Sequence, residues 1–336
     1  MIRTEQNNSL NQELMGEILI ADKLLREPFS PVLRTEVSFD EALSETYAAN
    51  VWLASEVHQP IGAYKIRGAF NFISNLDQNQ KERGVVTASA GNHAQGIALC
   101  CNSEGVKCRV YMPRNTPANK INRVLDFGGE QTEVKLVGDS FDEASRAAKD
   151  FGREKGAVMA HPFNDLRVIA GQGTWGLEIA DRVPNIDVVM CPVGGMGLLA
   201  GIATAIKNRY PNAQVIGAEP EGAASLKEAL KYGRPAQLET ISTFVDGASV
   251  KEVGELPFRL AGHLVAATVE VSDLELRKAT MQLWERRRPL RAELAGALSV
   301  AALNRTEDIS GKNVVCLISG GNLSDNRYET EVRLSA

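Results

Sequence analysis

The chain has 336 residues, of which 44% are hydrophobic and 24% are charged, a composition that is ordinary for a globular protein. Its 37 basic and 42 acidic residues leave a net charge of −5, which excludes a strongly basic nucleic-acid-binding or membrane-surface protein. The sequence has no apolar run of membrane-spanning length and no pattern of a secretion signal, so we expect a cytoplasmic protein without nucleic-acid or membrane partners.

The five cysteines stand in apolar segments that resemble strands or helices, and none forms a metal-type C-x-x-C pair. A free cysteine in such a segment behaves as a small hydrophobic residue. We therefore predict buried free thiols in a reducing compartment. The five are Cys100, Cys101, Cys108, Cys191 and Cys316.

Short apolar segments that resemble strands alternate along the chain with longer segments of helical periodicity. This alternation predicts an α/β fold with two lobes, each an open, mostly parallel twisted sheet flanked by helices. We expect one compact unit from about Ala48 to Gly156, and the clearest helices are Phe141–Lys155 and Leu198–Arg209. The predicted strands are Gly84–Thr87, Cys108–Met112, Val134–Val137, Val188–Pro192, Gln214–Ala218 and Asn313–Ile318.

Lys65 follows Tyr64 in a run of mostly small and apolar residues from Gly62 to Ala69. A lysine in apolar surroundings loses hydration, so its amine is more easily kept neutral. A neutral lysine amine can attack a carbonyl group and form a Schiff base. The alternative is an ordinary surface lysine at the start of a helix.

The first of three glycine-containing loops, Ala88–Gly96, follows a predicted strand and leads into an apolar segment. Its small residues let backbone amides face an anion at a helix N-terminus. Asn92 in this loop can either bind a ring hydroxyl group or cap the helix.

The second loop, Val193–Leu198, lies between a predicted strand and a predicted helix, and its glycines let the backbone wrap a phosphate group. It lacks the spacing of a dinucleotide-binding loop and the lysine of a Walker loop. The third loop, Ser319–Asn322, also follows a strand, and Ser319 can either reach a ligand or serve as a turn residue. One lysine, one phosphate loop and two polar strand ends together favour pyridoxal phosphate as the cofactor.

With these motifs in this order, the chain resembles the fold type II pyridoxal-phosphate enzymes, which have the tryptophan synthase β-like fold, and within them the threonine/serine dehydratases. The resemblance runs from about Asp40 to Arg327. It implies a large cofactor-binding domain of residues 1–47 and 157–336, and a small domain of residues 48–156 that carries the substrate-carboxylate loop. The matching stretches are Ala63–Ala69, Ala88–Gly96, His161–Asp165, Gly171–Thr174, Gly194–Leu198, Val245–Ala248, Ala295–Ser299 and Ser319–Asn322.

The resemblance also implies a partner for each part of the cofactor. Lys65 would form the Schiff base with pyridoxal phosphate, Asn92 would bond the 3-hydroxyl group, and Ser319 would face the ring nitrogen. A serine hydroxyl is neutral and does not enforce a protonated ring, which suits departure of a leaving group from the substrate. The residues expected to bind the cofactor are Lys65, Tyr64, Asn92, Gly194, Gly195, Met196, Gly197, Leu198, Gly247 and Ser319.

Met196 interrupts a phosphate loop that consists of glycine in most members of the family. If this position needs a positive φ, the methionine backbone is strained there. If it does not, the side chain simply points away from the loop.

The resemblance implies a lyase that acts on a small amino-acid substrate. With Lys65 as general base at Cα, β-elimination of L-threonine or L-serine would give a 2-oxo acid and ammonia. Racemase relatives carry a second serine where this chain has Ala90, so racemisation is the weaker alternative. The residues expected to bind the substrate are Ser89, Ala90, Gly91, Asn92, His93 and Gln95.

An arginine cluster near residue 290 leaves the substrate open. It can bind an additional anionic group on a phosphorylated or acidic hydroxy amino acid, in an elimination or a β-replacement, or it can form a solvated helix end. A cofactor-free binding protein with the same fold is a further alternative. The cluster consists of Arg286, Arg287, Arg288 and Arg291.

Glu219 is the one candidate metal ligand, because the racemase relatives bind a divalent cation in this stretch. Ser225 stands where those relatives supply a second acidic ligand, and hard cations prefer carboxylate oxygens, so we expect no metal. The family also implies a homodimer or homotetramer. A C-terminal regulatory domain is not expected after Asp325.

Overall fold

The computed structural model describes residues 2–333, and the ten strands in this range form two sheets. The strands are β1 (Glu36–Phe39), β2 (Asn50–Ser55), β3 (Val85–Ala88), β4 (Cys108–Met112), β5 (Thr132–Leu136), β6 (Val158–Met159), β7 (Val188–Pro192), β8 (Gln214–Pro220), β9 (Val265–Val271) and β10 (Asn313–Ile318). The helices are α1 (Ile2–Leu25), α2 (Glu41–Tyr47), α3 (Lys65–Ser74), α4 (Gln78–Arg83), α5 (Asn92–Ser103), α6 (Ala118–Gly128), α7 (Phe141–Lys155), α8 (Leu166–Arg182), α9 (Gly197–Arg209), α10 (Ser225–Tyr232), α11 (Glu255–Ala261), α12 (Asp273–Trp284), α13 (Leu294–Ala301) and α14 (Asp325–Arg327). No helix in the described range combines the length and hydropathy needed to cross a bilayer.

The larger sheet has the strand order β1-β2-β10-β7-β8-β9, and the smaller sheet has the order β5-β4-β3-β6. Every neighbouring pair is parallel except β1 with β2 at one edge. The prediction of two mostly parallel sheets is therefore confirmed. The carboxyl ends of β3, β7 and β10 lead directly into the three glycine-containing loops, where ligands bind in folds of this class.

Two strand pairs cross the predicted limits of the small domain, and the domain limits themselves stay a prediction. β2 lies inside the predicted range 48–156, yet it pairs with β10 of the larger sheet, with Leu53 opposite Cys316. β6 lies just outside that range, yet Val158 pairs with Val85 of β3 in the smaller sheet. Both pairings join segments far apart in sequence, so local patterns did not reveal them. Residues 1 and 334–336 of the predicted large domain lie outside the described residues.

The central strands of the larger sheet are buried along almost their whole length, as expected for a parallel sheet covered on both faces. Cys191 in β7 and Cys316 in β10 are fully buried there. All five cysteines are free and buried, as predicted, and the reducing compartment stays a prediction.

Helix α7 has the predicted bounds because both of its ends carry strong local signals. Ser140 accepts a hydrogen bond from the backbone amide of Glu143, and the Glu143 side chain closes the capping box. Gly156 ends the helix in the left-handed conformation, at φ 68°.

Helices α3 and α8 cross closely, and this crossing holds the N-terminus of α3, where Lys65 lies. A Cβ atom on Gly171 would lie 2.6 Å from the carbonyl oxygen of Arg67 and 2.7 Å from the Cα atom of Gly68. A Cβ atom on Gly68 would lie 2.3 Å from Nε2 of Gln172. Neither contact is possible for a real side chain, so the two glycines determine how near the helices come.

Gly171→Ala is expected to lower the free energy of unfolding by about 1–3 kcal/mol, because α3 must move away from the added methyl group. Urea unfolding of the wild type and the variant measures this difference. Gly16→Ala is the matched control, since Gly16 is exposed in α1 and has no atom within 4 Å of its Cβ position. That control should gain up to about 1 kcal/mol from helix propensity. Equal stability of Gly171→Ala and the wild type would contradict the close crossing.

Candidate active site

Lys65 is the first residue of α3, and it is partly buried. Its Nζ donates a hydrogen bond to the carbonyl oxygen of Pro162 at 3.0 Å and lies 5.1 Å from the centre of the Tyr64 ring. Burial lowers the pKa of Lys65 to about 8, against the opposing effect of the Glu293 carboxylate. Lys65 is thus not an ordinary surface lysine.

The backbone before Lys65 is fixed to the third loop. Ala63 forms an isolated antiparallel bridge with Gly320, and the Tyr64 amide donates to the carbonyl oxygen of Ser319 at 3.0 Å. The Tyr64 ring stacks on Trp175 of α8, with the ring centres 6.1 Å apart. This places the predicted residues Tyr64, Lys65 and Ser319 side by side.

Residues 160–163, directly after β6, join the two lobes at the site. The Ala160 carbonyl oxygen accepts a hydrogen bond from Nε2 of His93 at 3.0 Å, and the next contact along this segment is that of Pro162 with Lys65. The Phe163 ring lies against the second loop, because a Cβ atom on Gly195 would be 2.2 Å from it. In the sequence this stretch stands out only as a family match, and its contacts with His93, Lys65 and the second loop have no local signal.

The first loop carries the residues predicted to bind the substrate. Gly91 donates its backbone N–H to Oγ of Ser89 at 3.2 Å, which shapes the turn that leads into α5. Gln95 is buried, and its Oε1 has no hydrogen-bond partner among the described residues. Ala90 lies half-buried in the same loop and presents only a methyl group.

His93 is buried in a neutral form. Burial, with a contribution from the Lys65 cation, lowers the pKa of His93 to about 3. The carbonyl oxygen of Ala160 only accepts, so the hydrogen of His93 is assigned to Nε2. Its Nδ1 is then a buried acceptor that no described residue contacts by a hydrogen bond.

Asn92 lies at the boundary between the lobes and contacts two residues that the sequence analysis did not assign. Its Nδ2 donates to Oε1 of Glu293 at 2.7 Å, and its Oδ1 accepts from Nδ2 of Asn322 at 2.7 Å. Burial, together with the nearby Asp246 carboxylate, raises the pKa of Glu293 to about 7. The signal available in the sequence was the position of Glu293, which lies two residues before the matching stretch Ala295–Ser299.

The second loop leads into α9, which begins at Gly197. The backbone amides of Gly194, Gly195 and Met196 donate no hydrogen bond to any described residue. Met196 has φ 70°, and its side chain is packed in the core of the large lobe, as is that of Leu198. The predicted strain is therefore present, and such a conformation costs about 1–2 kcal/mol for a residue with a side chain.

Ser319 and Gly247 lie near Glu293 on the large lobe. Ser319 directly follows β10, is almost fully buried, and its Oγ donates a long hydrogen bond of 3.4 Å to the carbonyl oxygen of Ala295. A Cβ atom on Gly247 would lie 2.9 Å from Cβ of Ala295 and 3.7 Å from Oε1 of Glu293. The fold thus brings these two predicted residues to the same place as Asn92.

A buried ion cluster anchors α3 two residues after Lys65, and its central residue, Arg67, was not predicted from the sequence. Nε of Arg67 donates to Glu56 at 2.7 Å, and its Nη2 donates to Glu178 at 3.1 Å. Its Nη1 also donates to the hydroxyl group of Thr174 at 3.1 Å. Arg67 therefore joins α3 to the end of β2 and to α8.

Glu219, the candidate metal ligand, is fully buried near the end of β8. Its two carboxylate oxygens accept the backbone amides of Leu226 at 2.7 Å and Lys227 at 2.9 Å, so it caps α10. Within residues 2–333 no group of three or more potential ligands could hold a metal ion. Burial raises the pKa of Glu219 to about 7.

Two arginines of the cluster near residue 290 have structural partners. Arg286 pairs with Asp40, and Arg291 pairs with Asp325 at 2.9 Å. Arg287 and Arg288 are exposed.

Comparison with known proteins agrees with the geometry of the site. The family model described as pyridoxal-phosphate dependent enzyme matches residues 30–320. The chain is 42% identical over 315 residues to the L-threonine dehydratase biosynthetic IlvA of Halalkalibacterium halodurans, covering 93% of this chain and 75% of that protein.

Two solved structures with high similarity have different activities in their names. The processed form of threonine deaminase isoform 2 from Solanum lycopersicum has a TM-score of 0.88 and 35% identity, covering 97% of this chain and 94% of that chain. Maize serine racemase has a TM-score of 0.87 and 30% identity, covering 95% of this chain and 96% of that chain. The family match and these similarities, together with the lysine and the three loops, lead to one conclusion. The chain belongs to the family of pyridoxal-phosphate dependent enzymes.

Proposed function

We propose that the enzyme removes the hydroxyl and amino groups of a β-hydroxy amino acid, most readily L-threonine, and releases a 2-oxo acid and ammonia. The observation that carries this proposal is the Lys65 amine, which has a lowered pKa and is held by the Pro162 carbonyl oxygen. The Lys65 cation also lowers the pKa of His93, so the amine lies near the first loop, in which Ala90 offers no second proton carrier. The similarity to a threonine dehydratase and to a threonine deaminase supports the same substrate.

The residues of the site fit pyridoxal phosphate. The three unpartnered amides at Gly194–Met196 precede α9, and backbone N–H groups at a helix N-terminus suit a phosphate group. The Lys65 amine suits the aldehyde. The neutral Ser319 hydroxyl makes only a long bond of 3.4 Å to Ala295, so it can rotate to donate to an unprotonated ring nitrogen. When bound, pyridoxal phosphate supplies an acceptor for the electrons released at Cα of the substrate.

Lys65 is the proposed general base at Cα. A pKa of about 8 leaves a much larger neutral fraction near pH 7 than an ordinary lysine has, and the Pro162 carbonyl oxygen holds the amine in place. The N-terminus of α5, together with Ser89 and the unpartnered Oε1 of Gln95, is the proposed site for the carboxylate and amino groups of the substrate.

Racemisation is the competing reaction, and the similarity to maize serine racemase makes it worth testing. It requires a proton carrier on the face of Cα opposite Lys65. Ala90 has only a methyl group, which cannot carry a proton, so elimination is favoured. The predicted small and large domains, the cytoplasmic location and the homodimer or homotetramer stay predictions.

Purified holoenzyme is to be tested with L-threonine, L-serine, 3-hydroxyaspartate and O-phospho-L-serine, with 2-oxo acid and ammonia as the measured products. We expect kcat/KM for L-threonine to exceed that for L-serine by about tenfold, the effect of one methyl group in a fitted apolar pocket. A preference for the acidic or phosphorylated substrate would contradict the assignment and favour a role of Arg287 and Arg288. Faster formation of D-amino acid than of 2-oxo acid would favour racemisation.

A further inference from the structure

The Asn92 carboxamide is bound at both of its ends by residues of the opposite lobe. Its Nδ2 donates to Oε1 of Glu293 and its Oδ1 accepts from Nδ2 of Asn322, each at 2.7 Å. Nδ2 of Asn322 also donates to the carbonyl oxygen of Ile61 at 2.7 Å, so both of its hydrogens are used. Asn92 begins a helix of the small lobe, whereas Glu293 and Asn322 flank the end of the large sheet.

These two partners permit only one rotation of the Asn92 carboxamide. A half-turn would place its oxygen against an oxygen of the ionised Glu293 carboxylate, with no hydrogen between two acceptors. The same half-turn would place its NH₂ group against the NH₂ group of Asn322, which is donor against donor. The Asn322 contact therefore selects the rotation that directs Nδ2 toward Glu293 whether or not Glu293 is protonated, and the ionised carboxylate favours the same rotation.

Glu293 itself has little freedom to move. Its backbone amide donates to the carbonyl oxygen of Gly320 at 2.9 Å. A Cβ atom on Gly320 would lie only 2.7 Å from Oε1 of Glu293, so the carboxylate packs directly on that glycine. Because the Glu293 carboxylate cannot easily move, its hydrogen bond with Asn92 Nδ2 also fixes the position of the Asn92 carboxamide.

The selected rotation leaves one hydrogen of Asn92 Nδ2 without a partner among the described residues. We propose that Glu293 is a positioning residue, which fixes the Asn92 carboxamide so that this second Nδ2 hydrogen is available to the ring hydroxyl group of pyridoxal phosphate. The proposal rests on the cofactor site proposed above. It also couples the site to the contact between the lobes, because Asn92 adopts the selected rotation only where it meets Glu293 and Asn322.

The test compares the binding of pyridoxal phosphate with that of 3-deoxypyridoxal 5′-phosphate, which lacks the ring hydroxyl group. Apoenzyme of the wild type and of Glu293→Met is titrated with each compound, and the change in absorbance gives the Kd. Glu293→Met is expected to weaken pyridoxal phosphate by about tenfold, the effect of losing one well-placed hydrogen bond, and to leave the Kd of the deoxy compound unchanged. Both compounds carry the same aldehyde and phosphate, so other effects of the substitution cancel in the comparison.

Two further variants complete the test. Glu293→Gln keeps an acceptor oxygen and is expected to restore most of the discrimination between the two compounds. Glu219→Gln is the matched control, because Glu219 is another buried carboxylate whose pKa is raised to about 7, and it lies outside the site. It should discriminate as the wild type does, even where its unfolding temperature falls.

An equal loss of affinity for both compounds in Glu293→Met would overturn the proposal. Glu293 would then stabilise the structure of the site without any effect on the contact with the ring hydroxyl group. Where Glu293→Met fails to fold, Asn322→Leu provides the same comparison by removing the other partner of the Asn92 carboxamide. A wild-type apoenzyme that binds neither compound would instead overturn the proposed cofactor site, so the two failures are distinguishable.

Discussion

Lys65→Ala is expected to lower 2-oxo acid formation from L-threonine by about three orders of magnitude or more, because it removes both the covalent attachment of the cofactor and the base at Cα. The measurement is the rate of 2-oxo acid release by enzyme reconstituted with excess pyridoxal phosphate. A second measurement follows the attachment directly. Borohydride reduction of the holoenzyme should label the peptide that contains Lys65 in the wild type and leave the variant unlabelled.

Lys65→Arg is the matched variant for this prediction. It keeps the length and positive charge of the side chain, but a guanidinium group is always protonated and does not attack an aldehyde. We expect it to be as inactive as Lys65→Ala while its unfolding temperature stays close to that of the wild type, because the Lys65 amine makes one hydrogen bond to protein, with Pro162. Turnover within tenfold of the wild type in either variant would show that another group carries the reaction.

The parts of the fold that were predictable have strong local signals. β4, β7 and β10 are buried, strongly apolar runs, and the structure gives them the predicted bounds. β1 is mostly exposed at the sheet edge and β6 has only two residues, so neither has an apolar pattern to find. β2 shows a clear apolar pattern, but its place in the larger sheet depends on pairing with β10, which is distant in sequence.

The site, like the fold, has parts with a local sequence signal and parts that depend on contacts between residues distant in sequence. Lys65 and the three loops were found because a reactive residue or a turn composition stands within a few positions of a strand end. Glu293 acts on Asn92 across 201 positions of sequence, and Pro162 contacts Lys65 across 97. A carbonyl oxygen and a buried carboxylate carry no local signature, so only the folded chain reveals what they contact. Arg67 was missed for a further reason, since a charged residue on a helix is usually exposed.

Arg67→Met is expected to lower the free energy of unfolding by about 3–5 kcal/mol, because the fully buried Glu56 and the nearly buried Glu178 would lose their shared cation. Methionine is similar in length to arginine, so the lost charge outweighs the lost volume. Urea unfolding at pH 7.5 measures the difference. Arg153→Met is the matched control, because Arg153 pairs with Asp150 on the surface and should change stability by less than about 1 kcal/mol.

The pH dependence of this loss distinguishes a charge effect from a packing effect. Burial raises the pKa of Glu56, and Arg67 opposes that rise. Without Arg67 the folded variant holds a proton on Glu56 that the unfolded chain has already released, so the stability of the variant falls as the pH rises above the ordinary range of a glutamate. The deficit of Arg67→Met relative to the wild type should therefore be smaller at pH 5.5 than at pH 8. A deficit that is the same at both pH values would contradict the charge explanation and leave only a packing defect at the anchor of α3.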